Sequence, residues 1–310
     1  YLFLSTLCAY LFKCLPGQLL LYCYGRKYYF CIPIQYMYSI KNKVVVITGA
    51  SSGIGKALAL GALSRGAMVA VCARKTATLE QVYGHENESN LLYTTVDVSK
   101  EEDCKKLIDI TVAKWGRIDV LINNAGISMR ALFEDTDVAV LRELMDINFW
   151  GAVYCTKYAL PYIKEQKGVI AGISSVAGYR GLPARTGYAA SKFALQGFLE
   201  ALRTELLYSG THVMWVSPGF TTSNIRNVAL SSDGSPQKET PLDETSLMSA
   251  EECADIILDA IKNRKRTVIM TTIGKMTVWV NRLLPGFVDK QAFKRFSNEP
   301  DSPLKKYKPN

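Results

Sequence analysis

From Lys43 onward, short apolar runs alternate with longer amphipathic stretches, and this alternation limits the possible folds more than any other feature. It is typical of β-α-β units, in which parallel strands are joined by helices that cover both faces of a sheet. The sequence therefore predicts an α/β protein with a single doubly wound parallel sheet. The predicted strands are Val44–Thr48, Met68–Ala73, Leu91–Val96, Val120–Asn123, Val169–Ile173 and His212–Val216, and the predicted helices begin near Gly53, Glu101, Asp137, Thr186 and Ala250.

The composition is that of a folded protein whose surface attracts anions. Of the 310 residues, 48% are hydrophobic and 21% are charged, which excludes a disordered or collagen-like chain. With 37 basic and 28 acidic residues the net charge is +9, so a phosphorylated cofactor, an acidic lipid surface or a nucleic acid is a candidate partner. Only two histidines occur and the eight cysteines form no CxxC pair, so no metal site is predicted.

Residues 1–40 differ from the rest of the chain because they contain no Asp or Glu. Up to Gly25 the only charged residue is Lys13, and at about 1.5 Å per residue this stretch could cross a hydrocarbon core, although Pro16 and Gly17 interrupt it. Two interpretations stay open. The stretch is a hydrophobic membrane anchor or, since the chain begins with Tyr rather than Met, a wrongly assigned start with no folded role.

Two further stretches depart from the β-α-β pattern. Ser217–Ser249 is polar, contains several Gly, Pro and Ser residues and follows a strand, so we expect a long loop that serves as a lid. Residues 274–310 combine Trp279 and other apolar residues with many Lys and Arg residues. They predict an amphipathic basic extension that lies on an anionic membrane or packs on the domain or on a sister subunit. The sheet domain itself is expected to span residues 41–273.

The first predicted strand leads into a glycine-rich turn, Thr48-Gly49-Ala50-Ser51-Ser52-Gly53-Ile54-Gly55, and then into a helix. Glycine lets the backbone turn tightly and approach a diphosphate, whose charge the amides at the helix N-terminus stabilise. The spacing is GxxxGxG rather than GxGxxG, so by itself the turn also fits close packing of the helix on the strand. It predicts a site for a dinucleotide cofactor.

The end of the second predicted strand indicates which dinucleotide binds. The adenosine ribose is expected there, where an acidic residue would bond a 2′-hydroxyl and a cation would neutralise a 2′-phosphate. This chain has Ala73-Arg74-Lys75 at that point. Arg74 therefore predicts NADP(H), with a solvated surface cation as the alternative.

Tyr188 and Lys192 are four residues apart on a predicted helix, so their side chains share one face. A phenol with a pKa near 10 is a poor acid or base at neutral pH, but a neighbouring ammonium and a cationic nicotinamide both lower that pKa. The pair therefore predicts a tyrosine that donates or accepts a proton. The Tyr-x-x-x-Lys spacing alone is frequent by chance.

Other motifs surround this pair in a fixed order. Asn123-Asn124-Ala125-Gly126 ends a strand, Asn148 lies in Asp146-Ile147-Asn148-Phe149-Trp150-Gly151, and Ser175 stands thirteen residues before Tyr188. Together with the glycine turn, these residues resemble the short-chain dehydrogenase/reductase family over Lys41 to about Ile273. The resemblance implies a Rossmann-type fold, NADP(H)-dependent hydride transfer between a carbonyl and an alcohol, and a homo-oligomer assembled through the helices bearing Asp137–Lys164 and Tyr188–Tyr208.

The resemblance also implies a role for individual residues. Tyr188 is expected to be the acid or base, and Ser175 to bond the substrate oxygen. Lys192 is expected to bind the nicotinamide ribose, and Asn148 to hold a water that extends the proton relay. Asp97 would contact the adenine amino group. The expected cofactor-binding residues are Gly49, Ser51, Ser52, Gly53, Ile54, Gly55, Arg74, Asp97, Val98, Asn124, Tyr188, Lys192, Pro218, Gly219 and Thr221.

The implied function is the interconversion of a hydrophobic ketone or aldehyde and its alcohol, with reduction as the expected direction. Two alternatives stay open: a ketoreductase of carrier-bound acyl chains, and a catalytically idle NADP-binding sensor or scaffold. The presence of Asn148, Ser175, Tyr188 and Lys192 argues against the idle protein, because a sensor needs no proton relay.

The excess of basic residues is accounted for without a basic stripe interleaved with aromatic residues, so no nucleic-acid partner is expected. Association with a membrane through the N-terminal segment and the C-terminal extension is expected, with a cytoplasmic protein as the alternative.

Overall fold

A parallel sheet forms the centre of the described chain, with the strand order β3-β2-β1-β4-β5-β6-β7. The chain starts in the middle, moves outward to β3 and then returns to add β4 on the other side of β1, which is the predicted doubly wound topology. The strands are β1 (Val44–Thr48), β2 (Met68–Ala73), β3 (Leu91–Thr95), β4 (Val120–Asn123), β5 (Val169–Ile173), β6 (His212–Ser217) and β7 (Thr267–Ile269). The fold class is confirmed.

The computed structural model describes residues 37–222, 225–226, 228–237 and 247–308. From Ser39 onward these residues belong to one compact unit. The expected N-terminal membrane segment lies outside the described residues, apart from its last few positions.

Helices cover the sheet on both faces. They are α1 (Gly53–Ser64), α2 (Thr76–Tyr83), α3 (Glu101–Trp115), α4 (Val138–Met145), α5 (Gly151–Glu165), α6 (Thr186–Glu205), α7 (Ala250–Lys262), α8 (Thr272–Leu283) and α9 (Pro285–Ser297). On one face, α1 packs against α7. On the other face, Val44 and Val46 of β1 share a core with Leu107, Cys155 and Leu199 from α3, α5 and α6.

The strands form here because their residues are apolar and largely β-branched. All five residues of β1 and all five of β5 are buried, as is typical of strands covered on both faces. The predicted strand bounds hold, except that β3 ends one residue earlier and β6 one residue later. Sequence analysis missed α2, because this short helix buries only Leu79 and Tyr83 and so gives a weak periodic signal.

The loop after β6 contains isolated bridges but no helix or strand in its described parts. Leu230 bonds the loop that follows β4: its amide donates to Ser128 O at 2.9 Å, and Arg130 N donates to Leu230 O at 2.9 Å. Further on, Thr222 N donates to Met248 O at 2.8 Å. The contacts of Leu230 tie the loop to the segment that follows β4, and the bond from Thr222 to Met248 joins the two ends of the loop.

The C-terminal extension packs on the sheet domain. Phe296 of α9 and Leu304 are buried with Leu132 in a small separate apolar cluster, and Arg180 forms an ion pair with Asp289 of α9 at 2.6 Å. Within the described ranges, no helix combines the length and the apolarity needed to cross a bilayer.

Candidate active site

The glycine turn between β1 and α1 has the geometry that an anion requires. Gly49 has φ = 67°, and a Cβ there would lie 2.7 Å from Ala125 Cα, so a larger residue does not fit. Ser52, the N-cap of α1, makes no side-chain capping bond, and the first turn of α1 contains no acidic residue. The N-terminal amides of α1 thus stay available to a diphosphate.

Asn124 and Thr48 hold this turn in place. Asn124 Nδ2 donates to Thr48 O at 2.8 Å and to Gly49 O at 3.0 Å. The amides of Asn124 and Ala125 donate to Thr48 Oγ1 at 3.1 and 3.0 Å. A Cβ at Gly55 would lie only 2.3 Å from Gly49 O and 2.4 Å from Asn124 Nδ2. The end of β4 and the start of α1 therefore clamp the turn from two sides.

Arg74, Lys75 and Asp97 line the same cleft where β2 and β3 end. Arg74 and Lys75 are exposed. Asp97 Oδ1 accepts hydrogen bonds from Ser99 N at 3.1 Å and from Ser99 Oγ at 2.7 Å. These bonds fix the orientation of the carboxylate and leave Oδ2 as an acceptor.

A π-helical turn, Asp146–Trp150, separates α4 from α5 and carries Asn148. Such turns widen a helix and frequently occur at functional sites. Asn148 is 1% exposed: its Oδ1 accepts from Ile127 N at 2.8 Å, and its Nδ2 donates to Ile127 O and to Ser191 Oγ, both at 2.9 Å. Asn148 therefore lies behind the cleft wall, where it joins the loop after β4 to α6. Its expected role in holding a water stays a prediction.

Ser175, Tyr188 and Lys192 line one cleft of about 540 Å³ together with the glycine turn. Ser175 Oγ accepts from Ala177 N at 3.1 Å, which orients the hydroxyl just beyond β5. Lys192 Nζ donates to Ile173 O at 2.9 Å and lies 5.7 Å from the centroid of the Tyr188 ring. The fold thus brings three of the four predicted catalytic side chains to the cleft surface.

The electrostatics of Tyr188 differ from the expectation. Burial raises the pKa of Tyr188, while the Ser175 hydroxyl and the charge of Arg185 lower it by less. Burial also lowers the pKa of Lys192 to about 8. The predicted net lowering of the Tyr188 pKa is therefore not found for the protein alone, because desolvation outweighs the Ser175 hydroxyl and the Arg185 charge. The contribution of the Lys192 ammonium stays a prediction. Tyr188 keeps its proton at neutral pH, as a general acid must.

Comparison with known proteins agrees with this architecture. The sequence profile of the family described as short chain dehydrogenase matches residues 43–233, which is more than half of the chain. This protein belongs to the short-chain dehydrogenase family. It is thus an oxidoreductase by family, as the motifs of the glycine turn, Asn124, Ser175, Tyr188 and Lys192 indicated.

One similar family member is 11-beta-hydroxysteroid dehydrogenase A of Arachis hypogaea, with 38% identity over 261 residues, 81% of this chain and 74% of the relative. Two solved structures share the fold. An alcohol dehydrogenase from Thermococcus sibiricus complexed with 5-hydroxy-NADP has a TM-score of 0.62 and 24% identity, covering 74% of this chain and 94% of that one. A short-chain dehydrogenase from Burkholderia phymatum in complex with NAD has a TM-score of 0.69 and 22% identity, covering 81% and 96%.

Sequence analysis of this short-chain dehydrogenase missed most of the cleft wall beyond Tyr188. The missed residues come from three segments far apart in the chain: Ile127, Ser128, Leu182, Arg185, Phe220, Ile225, Arg226 and Val228. The segment expected to be a lid supplies four of them. No local motif marks these positions. The one signal in the sequence is Arg185, a cation three residues before Tyr188 at the start of α6.

Residues of the C-terminal extension lie behind this wall. The Arg295 guanidinium is 5.2 Å from the centroid of the Phe220 ring, and Glu299 forms ion pairs with Arg130 and Arg185. The extension therefore supports the part of the cleft wall formed by Phe220 and Arg185.

Proposed function

We propose that this protein is an NADP(H)-dependent oxidoreductase that interconverts a hydrophobic ketone or aldehyde and its alcohol. The observation that carries the proposal is the convergence of Ser175, Tyr188 and Lys192 in one cleft with the uncapped N-terminus of α1. A nicotinamide cofactor bound there would supply the hydride. The residues of the cleft would supply the proton and the orientation of the substrate.

In the direction of reduction, the carbonyl oxygen lies between the hydroxyls of Ser175 and Tyr188. As hydride adds to the carbonyl carbon, Tyr188 donates its proton to the oxygen, and Ser175 stabilises the negative charge that develops there. The phenolate left on Tyr188 is stabilised by the cation of Lys192, which is charged at neutral pH because its pKa lies near 8. Oxidation of the alcohol reverses these steps.

The preference for NADP(H) rests on Arg74. Arg74 and Lys75 line the cleft at the end of β2, where the described lining residues include no carboxylate. The carboxylate among the lining residues is that of Asp97, at the end of β3, and it already accepts a hydrogen bond from Ser99. The solved relatives bind an NADP analogue in one case and NAD in the other. The choice for this chain therefore depends on its own side chains, and a cation there favours a 2′-phosphate.

The test is NADPH consumption by the purified full chain against a panel of ketones and aldehydes that includes neutral oxo-steroids. Tyr188→Phe is expected to lower kcat about 10²- to 10⁴-fold, the usual contribution of a general acid, with unchanged NADPH binding. The matched control is Tyr179→Phe, because the Tyr179 hydroxyl accepts from Trp215 Nε1 at 2.7 Å and lies outside the cleft lining. Turnover by Tyr188→Phe at the wild-type rate would refute the proposal.

We also propose that α8 and the start of α9 rest on an anionic membrane surface. One apolar face is largely exposed, and its members are Ile273, Met276, Trp279, Leu283 and Phe287. Exposed cations flank it, namely Lys275, Arg282, Lys290 and Lys294. Apolar residues at helical spacing beside basic residues are characteristic of helices that lie in the interface of an anionic bilayer.

Brominated anionic lipid is expected to quench the fluorescence of Trp279 in the full chain. Trp279→Phe, which keeps the other tryptophans, should show no such quenching. Equal quenching of both proteins would overturn the membrane assignment, and a monomer–dimer equilibrium weakened by Trp279→Glu would assign the face to a second copy instead.

The homo-oligomer is proposed to form through α5 and α6. Trp150, at the end of the π-helical turn before α5, is 42% exposed, and Phe193 on α6 is 47% exposed. The Trp150 ring stacks on the Tyr154 ring of α5, with 5.8 Å between the ring centroids. Exposed aromatic side chains are enriched at protein interfaces. Light scattering of Phe193→Glu should show a smaller assembly than the wild type, whereas equal masses would place the interface elsewhere.

A further inference from the structure

The cleft wall next to Tyr188 carries a nearly buried guanidinium. Arg185 lines the cleft beside Leu182 and Tyr188, and only 12% of its side chain is exposed. As the N-cap residue of α6 it lies about one helical turn before Tyr188. Its positive charge lowers the pKa of the Tyr188 phenol, against the larger opposite effect of burial.

The hydrogen-bonding capacity of Arg185 is largely unused. A guanidinium has five N–H donors, yet among the described residues the Arg185 side chain makes no hydrogen bond. Its contacts are an ion pair with Glu299 Oε2 at 3.8 Å and the face of the Phe296 ring, whose centroid lies 4.9 Å away. Because Arg185 lines the cleft, these N–H donors are open to an acceptor that enters it.

The surroundings of Arg185 are electropositive. The same Glu299 oxygen lies 3.5 Å from Arg130 Nε, so one buried carboxylate serves two guanidiniums. Burial lowers the pKa of Arg185, Glu299 offsets part of this effect, and the charges of Arg130 and Arg226 lower the pKa further. An additional negative charge at Arg185 would therefore be stabilised.

The cleft that holds Tyr188 and Arg185 also has apolar lining residues, among them Leu182, Ile225 and Val228. Arg185 precedes Tyr188 by three residues, a rise of about 4.5 Å at about 1.5 Å per helical residue. A ligand that reached both would need a carbonyl at Tyr188, a short apolar chain and an anionic group at Arg185.

We propose that Arg185 binds a carboxylate of the substrate, so that the enzyme acts on oxo acids whose carboxylate lies a few bonds from the reacting carbonyl. The inference rests on the proposed function and specifies its substrate class. A guanidinium and a carboxylate form charge-assisted, often bidentate hydrogen bonds, which would fix the carbonyl in register with Tyr188. Arg185 is then a specificity residue rather than part of the proton relay.

A competing explanation is that Arg185 only fastens α9 over the cleft through Glu299 and Phe296. Arg180 separates the two explanations, because it also holds α9, through Asp289 at 2.6 Å, but does not line the cleft. If fastening were the whole role, Arg180→Met and Arg185→Met would have similar effects on every substrate. If Arg185 binds a carboxylate, only Arg185→Met changes the preference between charged and neutral substrates.

The experiment compares kcat/KM of the full-length enzyme for a medium-chain γ-oxo fatty acid, its methyl ester and a neutral oxo-steroid. The wild type is expected to prefer the acid over the ester about ten- to hundredfold, the usual value of hydrogen bonds to a charged group. Arg185→Met should abolish this ratio, Arg185→Lys should retain part of it, and Arg180→Met should leave it unchanged.

Each other outcome has a defined meaning. A wild-type enzyme that prefers the ester or the steroid overturns the carboxylate assignment without any variant, while carbonyl reduction itself still supports the proposed function. An acid-to-ester ratio that survives in a folded Arg185→Met also overturns it. Failure to oxidise NADPH with any carbonyl compound would refute the proposed function itself.

Discussion

The two ends of the cleft are built by different means. The proposed cofactor end consists of strand ends and the turn before α1, and its key groups are backbone amides held by Thr48 and Asn124. The proposed substrate end consists of side chains from the loops after β4, β5 and β6, supported by α9 and Glu299. The first end depends on glycine and on hydrogen bonds between the ends of the adjacent strands β1 and β4. The second depends on contacts between residues more than a hundred positions apart in the chain.

The largest effect is expected from Gly55→Val at the cofactor end. A Cβ at this position would already lie 2.3 Å from Gly49 O, and backbone on both sides cannot yield. We expect at least a hundredfold weaker NADPH binding by fluorescence titration, because a misplaced turn loses several phosphate contacts. Gly197→Ala on α6 is the control, since a Cβ there meets nothing within 4 Å. Normal NADPH affinity in Gly55→Val would show that the turn is not the phosphate site.

Arg74→Asp tests the adenosine part of the same end. Removing a cation from a 2′-phosphate and adding a repelling carboxylate should shift the ratio of kcat/KM for NADPH over NADH by about ten- to hundredfold towards NADH. Lys105→Asp makes the same charge change at an exposed residue outside the cleft lining and should leave the ratio alone. An unchanged ratio in Arg74→Asp would make Arg74 a surface cation.

The pH dependence tests the junction between the two ends. Burial lowers the pKa of Lys192 to about 8 and raises that of Tyr188. As the pH rises through about 8, Lys192 loses its charge while Tyr188 keeps its proton, so kcat/KM for reduction should fall up to tenfold per pH unit. In Lys192→Arg the residual activity should lack this decline, because arginine stays charged. A decline that persists unchanged in Lys192→Arg would assign it to another group.

The smallest effect on chemistry is expected from Phe296→Ala at the substrate end. Phe296 is 5% exposed, packs with Leu132 and Leu304, and lies against Arg185. Its loss should cost about 3 kcal/mol of local stability and raise the substrate KM, while the NADPH dissociation constant stays constant. Faster amide hydrogen exchange confined to α9 and residues 298–308 would be the structural signature. Weaker NADPH binding would mean that the two ends are not independent.

The sequence by itself determined the fold class and predicted the residues of the proposed cofactor end. Continuous apolar runs such as β1 and β5 leave little choice but buried parallel strands. The glycines of the turn, Ser175 and the Tyr188–Lys192 pair follow spacings that helices and strand ends convert directly into neighbouring positions. Motif spacing predicts these features, although the hydrogen bonds from Asn124 to Thr48 and Gly49 that hold the turn join residues about 75 positions apart in the chain.

Only the tertiary structure decided the pKa of Tyr188 and the composition of the substrate end. The sequence placed Lys192 near Tyr188, but the extent of burial, which raises the Tyr188 pKa, depends on the surrounding loops. Likewise, the sequence around Arg185 does not predict that Glu299 and Phe296 contact its guanidinium. Desolvation and ion pairing depend on how segments far apart in the chain pack together. Local sequence patterns do not predict that packing.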